Sequence, residues 1–282
     1  MTSPNPFNEQ LWYTIFAEGH PALIQKQQDL LSRGTPPRCK LCFAPFGGVD
    51  EVGSSPEQPG PSNRNPRYCS LCDTFIRQNP GGAKVKLSMV FADVRGSTRA
   101  AEELPLEDYV RLINNFYGTT TAAFVEHDGF MMDVVGDEVF ALYPTGFSGV
   151  SETETELPAR ERLAARKALG AVERLIGSPS GLPGSLPFGV SLHTAEVYIG
   201  TIRGAEEGIF DVRVWGLEVI RAARMCSAAQ PGEALISQEA LEVLDLPQLA
   251  LEPRELDLRG ISHPVRAYAL RAPLAGHAAV AG

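Results

Sequence analysis

The chain has 282 residues, 44% apolar and 21% charged, a balance that supports a packed soluble core and one large or two ordinary domains. Its formal net charge of -9 and pI near 5.2 argue against non-specific nucleic-acid binding and against an anionic membrane surface. No stretch approaches ~18 uninterrupted apolar residues, and the start of the chain lacks a basic segment ahead of an apolar core; no membrane span and no secretory signal are expected, and a cytoplasmic setting follows.

Residues 1–35 read as an N-terminal helical segment. Leu11, Ile15, Leu23, Ile24, Leu30 and Leu31 fall at helical spacing, with a break at Gly19-His20-Pro21. Residues 36–82 read as a small metal module ending in a hinge at Pro80-Gly81-Gly82. Its cysteines form two pairs, Cys39-x2-Cys42 and Cys69-x2-Cys72, separated by 26 residues. Four thiolates suit one structural Zn2+ per chain. Two disulfides, a redox pair or an iron–sulfur cluster are the alternatives, and the lack of a secretory signal favours zinc. The arms Pro37-Arg38-Cys39-Lys40-Leu41-Cys42 and Pro66-Arg67-Tyr68-Cys69-Ser70-Leu71-Cys72 are a near-repeat, and residues 49–65 between them read as an exposed polar loop. A closed thiolate shell implies structure or contact with a protein partner rather than chemistry, and metal binding would supply the module's folding energy. Cys226 reads as a small buried hydrophobe.

A second domain is expected over residues 83–272, followed by a flexible tail at 273–282. Residues 105–126 place Leu106, Val110, Ile113, Phe116, Tyr117 and Phe124 on one helical stripe. Residues 130–143 read as two strands joined at Gly136-Asp137, residues 146–157 as a loose acidic stretch, and residues 158–176 as a helix. Strands at 187–200 and 210–216, a helix at 217–225, a short strand at 232–237, a short helix at 238–244 and a hairpin over 256–270 complete the domain. The 22 prolines and 27 glycines concentrate at 34–82 and 177–189, which read as linkers. This order predicts an α+β fold with a mostly antiparallel sheet and packed helices.

The stretch LSMVFADVRGST at residues 87–98 organises the domain: an apolar run ends at Asp93 and a short loop follows. If the strand carrying Asp93 and the hairpin carrying Asp137 share a sheet, the two carboxylates meet at one end. Hard cations such as Mg2+ take oxygen ligands and hold phosphates at such sites. The plainer alternatives are a helix cap at Asp93 and a hairpin turn at Asp137.

These motifs together resemble the class III nucleotidyl cyclase family, the adenylate and guanylate cyclases, over about residues 85–270. The resemblance rests on Phe91-Ala92-Asp93-Val94-Arg95-Gly96-Ser97-Thr98, Val135-Gly136-Asp137, His193-Thr194-Ala195-Glu196, Val214-Trp215-Gly216 and Ala222-Ala223-Arg224-Met225. It implies a ferredoxin-like cyclase domain in which two chains pair head to tail as a homodimer. Asp93, Asp137 and the Val94 carbonyl would hold two Mg2+ or Mn2+ ions per active site. The loop through Gly96, Ser97 and Thr98 would cradle the polyphosphate of a nucleoside triphosphate, and Arg224 of the other chain would neutralise charge on the phosphates during ring closure. The product would be a 3′,5′-cyclic nucleotide and pyrophosphate.

Three positions depart from the purine cyclases. Asp133 stands where the family reads the base with lysine, and Arg213 where its acidic or threonine partner stands. Ile220 replaces the asparagine that orients the ribose, so Glu218 or water would have to stand in. Asp133 and Arg213 are nearly a charge swap and suit a different base, including a pyrimidine. The competing reading is a catalytically silent cyclase-like homodimer that binds nucleotide or a protein partner and signals. His193 is expected to be structural and Trp215 to pack in the core or at an interface.

Overall fold

The computed structural model describes residues 6–47, 59–147, 156–177, 185–203, 210–246 and 251–271. The expected tail at 273–282, most of the acidic stretch at 146–157 and much of the polar loop at 49–65 lie outside the described residues. In chain order, α1 (Pro6–Tyr13) passes through a π-helical turn (Thr14–Glu18), and α2 (Pro21–Leu31) restarts with proline in its first turn. Strands β1 (Thr35–Arg38) and β2 (Pro45–Gly47) flank the first cysteine pair, and α3 (Ser70–Gln78) begins at the second. Then come β3 (Gly82–Val94), α4 (Ser97–Glu103), α5 (Leu106–Glu126), β4 (Phe130–Val135), β5 (Glu138–Pro144) and α6 (Leu157–Ile176). The remainder is β6 (Phe188–Arg203), β7 (Phe210–Trp215), α7 (Leu217–Ala228), β8 (Glu233–Ser237), α8 (Gln238–Leu244), β9 (Glu252–Leu256) and β10 (Val265–Arg271).

The chain divides into two compact units. The first comprises Met1–Leu87, Pro144–Leu163 and Glu196–Gly216. Its apolar centre is a ladder of rings: Trp12 stacks on Phe16 at 5.7 Å, and Phe16 on Phe147 at 5.4 Å. The buried Trp12 indole satisfies its N–H on the Asn79 carbonyl at 2.9 Å. The last carbonyls of α2 are capped from outside the helix. Arg38 donates to the carbonyls of Leu30, Leu31, Arg33 and Gly34 at 3.0–3.2 Å, and to that of Phe43 at 3.0 Å. That fork ties α2 to the first cysteine arm.

Pro80-Gly81-Gly82 is no free hinge. Gly82 opens β3, and Thr201 of β6 donates its backbone N–H to the Gly81 carbonyl at 2.7 Å. A methyl group at Gly82 would stand 2.7 Å from the Gly200 Cα, and one at Gly200 would stand 2.6 Å from the Gly82 Cα. The two glycines are there because two backbones touch. The cysteine module, the start of β3, the end of β6 and all of β7 belong to one compact unit. The described end of the polar loop also differs from expectation, since Ser62 and Asn65 are buried.

The second unit comprises Ser88–Tyr143, Ala164–Ala195 and Leu217–Gly282. Its sheet has the strand order β4-β5-β3-β6-β8-β10-β9. β4 with β5, β6 with β7, β8 with β10 and β9 with β10 pair antiparallel, whereas β6 and β8 are parallel, their connection through α7 permitting it. This is the α+β, mostly antiparallel architecture the element order predicts. Phe116 and Phe124 of α5 pack with Leu169, Val172 and Leu175 of α6 and with Val90, Ala92 and Val139 from the strands. Alanines at 164, 165, 168 and 171 give α6 a small-residue face within this core. Phe91 and Phe140 stack in parallel at 4.6 Å, pinning β3 beside β5.

If the glycine contact is structural, Gly200→Ala should lower stability by about 1–3 kcal/mol, the usual range for overpacking. Gly82→Ala should do the same, while Gly118→Ala, with open space around it, should not. Thermal unfolding of the three variants is the measurement, and equal melting temperatures would restore the hinge.

Candidate functional site

The apolar β3 run delivers Asp93 to the end of the strand, one residue before Val94 closes it. The tight turn between β4 and β5 delivers Asp137, with Gly136 at φ +61° allowing it. Val94 N–H donates to the Asp137 carbonyl at 3.0 Å, so the two segments are stitched together where the carboxylates stand. Only Arg95 and Gly96 form a loop; Ser97 already begins α4, and Gly96 precedes it at φ +70°. The Ser97 hydroxyl donates to the Asp137 carboxylate, and Tyr117 donates to the Gly136 carbonyl. Gly96 and Thr98 are exposed.

Two neighbours escaped the sequence reading. Arg95 donates to Asp93 Oδ2 at 2.7 Å and also reaches the Cys226 carbonyl. Its guanidinium fits because Gly189 has no side chain. Glu138, directly after Asp137, is a third carboxylate. Burial, then the charges of Asp93 and Asp137, push it up to about 7. Asp93 is also raised, first by burial and further by Asp137, against the pull of Arg95. Arg95 was legible as a charge two residues past Asp93, and Glu138 as a second acid in sequence, but neither had a partner until the strands paired.

This donor set is all oxygen, half-buried and short of positive charge, which fits Mg2+ or Mn2+. The three carboxylates do not close into a cage: among the described residues the cysteines alone converge tightly enough to enclose one ion. An open carboxylate edge is how Mg2+ is held when substrate phosphates complete its shell.

On α7, Arg224 is exposed and Ile220 is 52% exposed. Glu218, considered as a stand-in for the missing asparagine, is engaged with two neighbours. Its Oε2 lies 2.8 Å from His193 Nε2 and 2.9 Å from Arg221 Nη1. A carboxylate only accepts, so Nε2 carries the proton, and Nδ1 faces Ser237 Oγ at 2.8 Å. Ser237 is fully buried and caps α8 through Ala240 N–H, so this Ser–His–Glu row is structural. Asp133 is half-buried on β4 opposite Phe140, beside a bulge. Cys226 is fully buried, and burial raises its thiol.

In the other unit the four cysteines meet. Their sulfurs all lie within 4.8 Å of one another, and all four residues are buried. Cys42 Sγ and Cys69 Sγ are 3.7 Å apart, too far for a disulfide and close to the ~3.8 Å edge of a tetrahedron with 2.3 Å metal–sulfur bonds. Cys69 Sγ also accepts the Cys72 N–H at 3.4 Å, the knuckle geometry expected of each arm. The residues fit one tetrahedral metal ion. Arg213 stands on β7 opposite Gly200 and is paired at 3.6 Å with Asp211. Trp215 is 40% exposed, with its ring 6.0 Å from Tyr198.

Residues 82–272 match the adenylate and guanylate cyclase catalytic domain, and the chain belongs to that family. An uncharacterized protein of Mycobacterium tuberculosis is 28% identical over 194 residues, covering 67% of this chain and 33% of its own length. One from Rhizobium meliloti is 26% identical over 199 residues, 68% of this chain and 18% of its own. The chain thus aligns with a third or less of the length of these curated relatives. The adenylyl cyclase CyaB from P. aeruginosa superposes with a TM-score of 0.52 at 22% identity, covering 68% of this chain and 97% of that one. The guanylate cyclase domain of RhGC from Catenaria anguillulae, solved with GTP, gives 0.51 at 18% identity, with 67% and 97% covered. At these identities the likeness is one of fold. No helix among the described residues is long and apolar enough to cross a membrane.

The cysteine centre should carry one zinc per chain by elemental analysis, and Cys69→Ser should lose it; metal-free protein with two disulfides would overturn this. The Glu218 carboxyl is held below its ordinary 4.5, first by its bond to His193. Its stabilisation is therefore present above that value and lost as pH falls below it. Urea unfolding from pH 6 to 3 should show a shallower acid loss for Glu218→Gln than for wild type.

Proposed function

We propose that this chain is a metal-dependent nucleotidyl cyclase that works as a homodimer and converts a nucleoside triphosphate to a 3′,5′-cyclic nucleotide and pyrophosphate. The observation that carries the reading is the crowding of Asp93, Asp137 and Glu138 at the stitched ends of β3 and the β4–β5 turn. Asp93, Asp137 and the Val94 carbonyl would hold two Mg2+ or Mn2+ ions. Such ions supply a lowered 3′-hydroxyl pKa and offset the triphosphate charge. Gly96 and Thr98 present exposed backbone and hydroxyl to the phosphates, while Ser97 holds Asp137 in place. Arg224 is exposed on α7 with no ion pair among the described residues, which suits a fork offered to phosphates bound by a second chain. Exposed Val135 and Leu217, at 61% and 56%, support an interface that a second copy covers. The four cysteines hold one structural zinc.

For the base, Asp133 and Arg213 take the reading positions, and their reversed charge favours a base other than the purine the family pattern suits, a pyrimidine included. A second reading rests on Ile220. An exposed apolar side chain where the ribose is oriented favours a silent cyclase-like homodimer acting as a nucleotide-binding or protein-interaction module. Product analysis with all four triphosphates and Mn2+ separates the two.

Activity should vanish in Asp93→Ala and in Arg224→Ala, and mixing the two chains should restore up to one good site per dimer. Failure of the mixture to recover, with both variants dimeric by sedimentation, would remove the composite site. Arg213→Ala should reduce the spread of affinities among the four triphosphates by about 1–3 kcal/mol, the range of a bidentate base contact.

A further inference from the structure

The contacts between the cysteine module and β7 serve no step of the reading above. Their centre is Asp211, whose side chain is 10% exposed. Tyr68, next to Cys69, donates its hydroxyl to Asp211 Oδ1 at 2.8 Å. Arg67 donates Nη1 to Oδ2 at 3.2 Å, and Val212 N–H donates to Oδ1 at 2.8 Å. The fourth partner is Arg213, with Nη2 at 3.6 Å from Oδ2. The flanking residue is braced as well. Asn65 Nδ2 donates to the Phe210 carbonyl at 3.2 Å, and the Arg77 guanidinium lies 5.0 Å from the Phe210 ring centre.

Strand β7 needs this bracing. Among the described residues it pairs with β6 alone, off the path of the main sheet. Asp211 and Arg213 are two residues apart and share a face. Across the ladder Arg213 meets Gly200, which has no side chain to steer it. On its own strand the Arg213 guanidinium faces the Asp211 carboxylate. The groups that hold Asp211 come from the second cysteine arm, whose backbone is fixed by Lys40 N–H on the Arg67 carbonyl and by Cys69 and Cys72 at the metal centre.

We propose that Asp211 is the positioning residue for Arg213, and that the four-cysteine module holds it there through Tyr68 and Arg67. Metal occupancy of the module is then linked to base selection. This rests on the reading of Arg213 as base-facing. Linkage is reciprocal, so the preferred triphosphate also tightens zinc in the module.

Two variants test it. Tyr68→Phe removes one hydroxyl and leaves every thiol; Asp211→Asn keeps the shape and removes the charge that Arg213 faces. Three quantities are measured: zinc content, affinity for each of the four triphosphates with Mn2+, and amide exchange across residues 210–214 before and after stripping zinc with a chelator. Both variants should keep one zinc per chain. The spread between best and worst triphosphate should shrink about tenfold, the size of one hydrogen bond to a charged group. Exchange at 210–214 should rise on zinc removal and in Tyr68→Phe, with β8 and β10 unchanged. Wild-type spread in both variants, or unchanged exchange after zinc removal, overturns the proposal. If Tyr68→Phe loses zinc or fails to fold, Asp211→Asn, remote in sequence from the thiols, decides alone. If wild-type protein shows no base preference, the base-facing reading of Arg213 fails, and the exchange measurement still decides whether the module holds β7.

Discussion

Negative charge gathered at the end of β3 is the constraint on which the second unit depends. Asp93, Asp137 and Glu138 are brought together by backbone pairing, and burial with mutual repulsion lifts Asp93 and Glu138. Arg95 offsets one carboxylate by pairing with Asp93. The rest of the unit keeps these groups together. The Phe91–Phe140 stack, the Ser97 bond to Asp137 and the Tyr117 bond to Gly136 all act at or next to the carboxylates. A divalent cation would relieve the repulsion that these contacts sustain.

The cysteine centre is built on a different principle. Its four buried sulfurs converge within 4.8 Å of one another, and Leu41 and Tyr68 are the large apolar side chains its arms bury. Such modules fold on their metal. Here the folded arms also reach β7, so the centre supports part of the cyclase fold as well as itself. The close approach of Gly82 to Gly200 makes the same point for the backbone: no flexible spacer intervenes.

The departures from the purine cyclases fall in differing surroundings. Arg213 sits in a braced, charged setting. Ile220 is exposed on α7, and Glu218 on the same helix is engaged through Oε2 by His193 and Arg221. The carboxylate positions of the family pattern are kept, while three other positions depart from it.

Helices, strands and the carboxylate pair were legible from the sequence because their signals are local. A stripe such as Ile113, Phe116 and Phe124 needs only a helical period, and Val135-Gly136-Asp137 needs only a tight turn. The paired cysteines were equally plain, since their spacing is the chemistry. Tertiary structure decided what depends on distant partners. Tyr68 and Asp211 are 143 positions apart, and nothing in either segment announces the other. The supposed hinge became a tight backbone crossing because Gly200 lies against it, and the Glu138 proton affinity rose because two strands placed it in a crowded, half-buried corner. Periodicity belongs to the chain, whereas burial, repulsion and long-range pairing exist only once the chain has closed on itself.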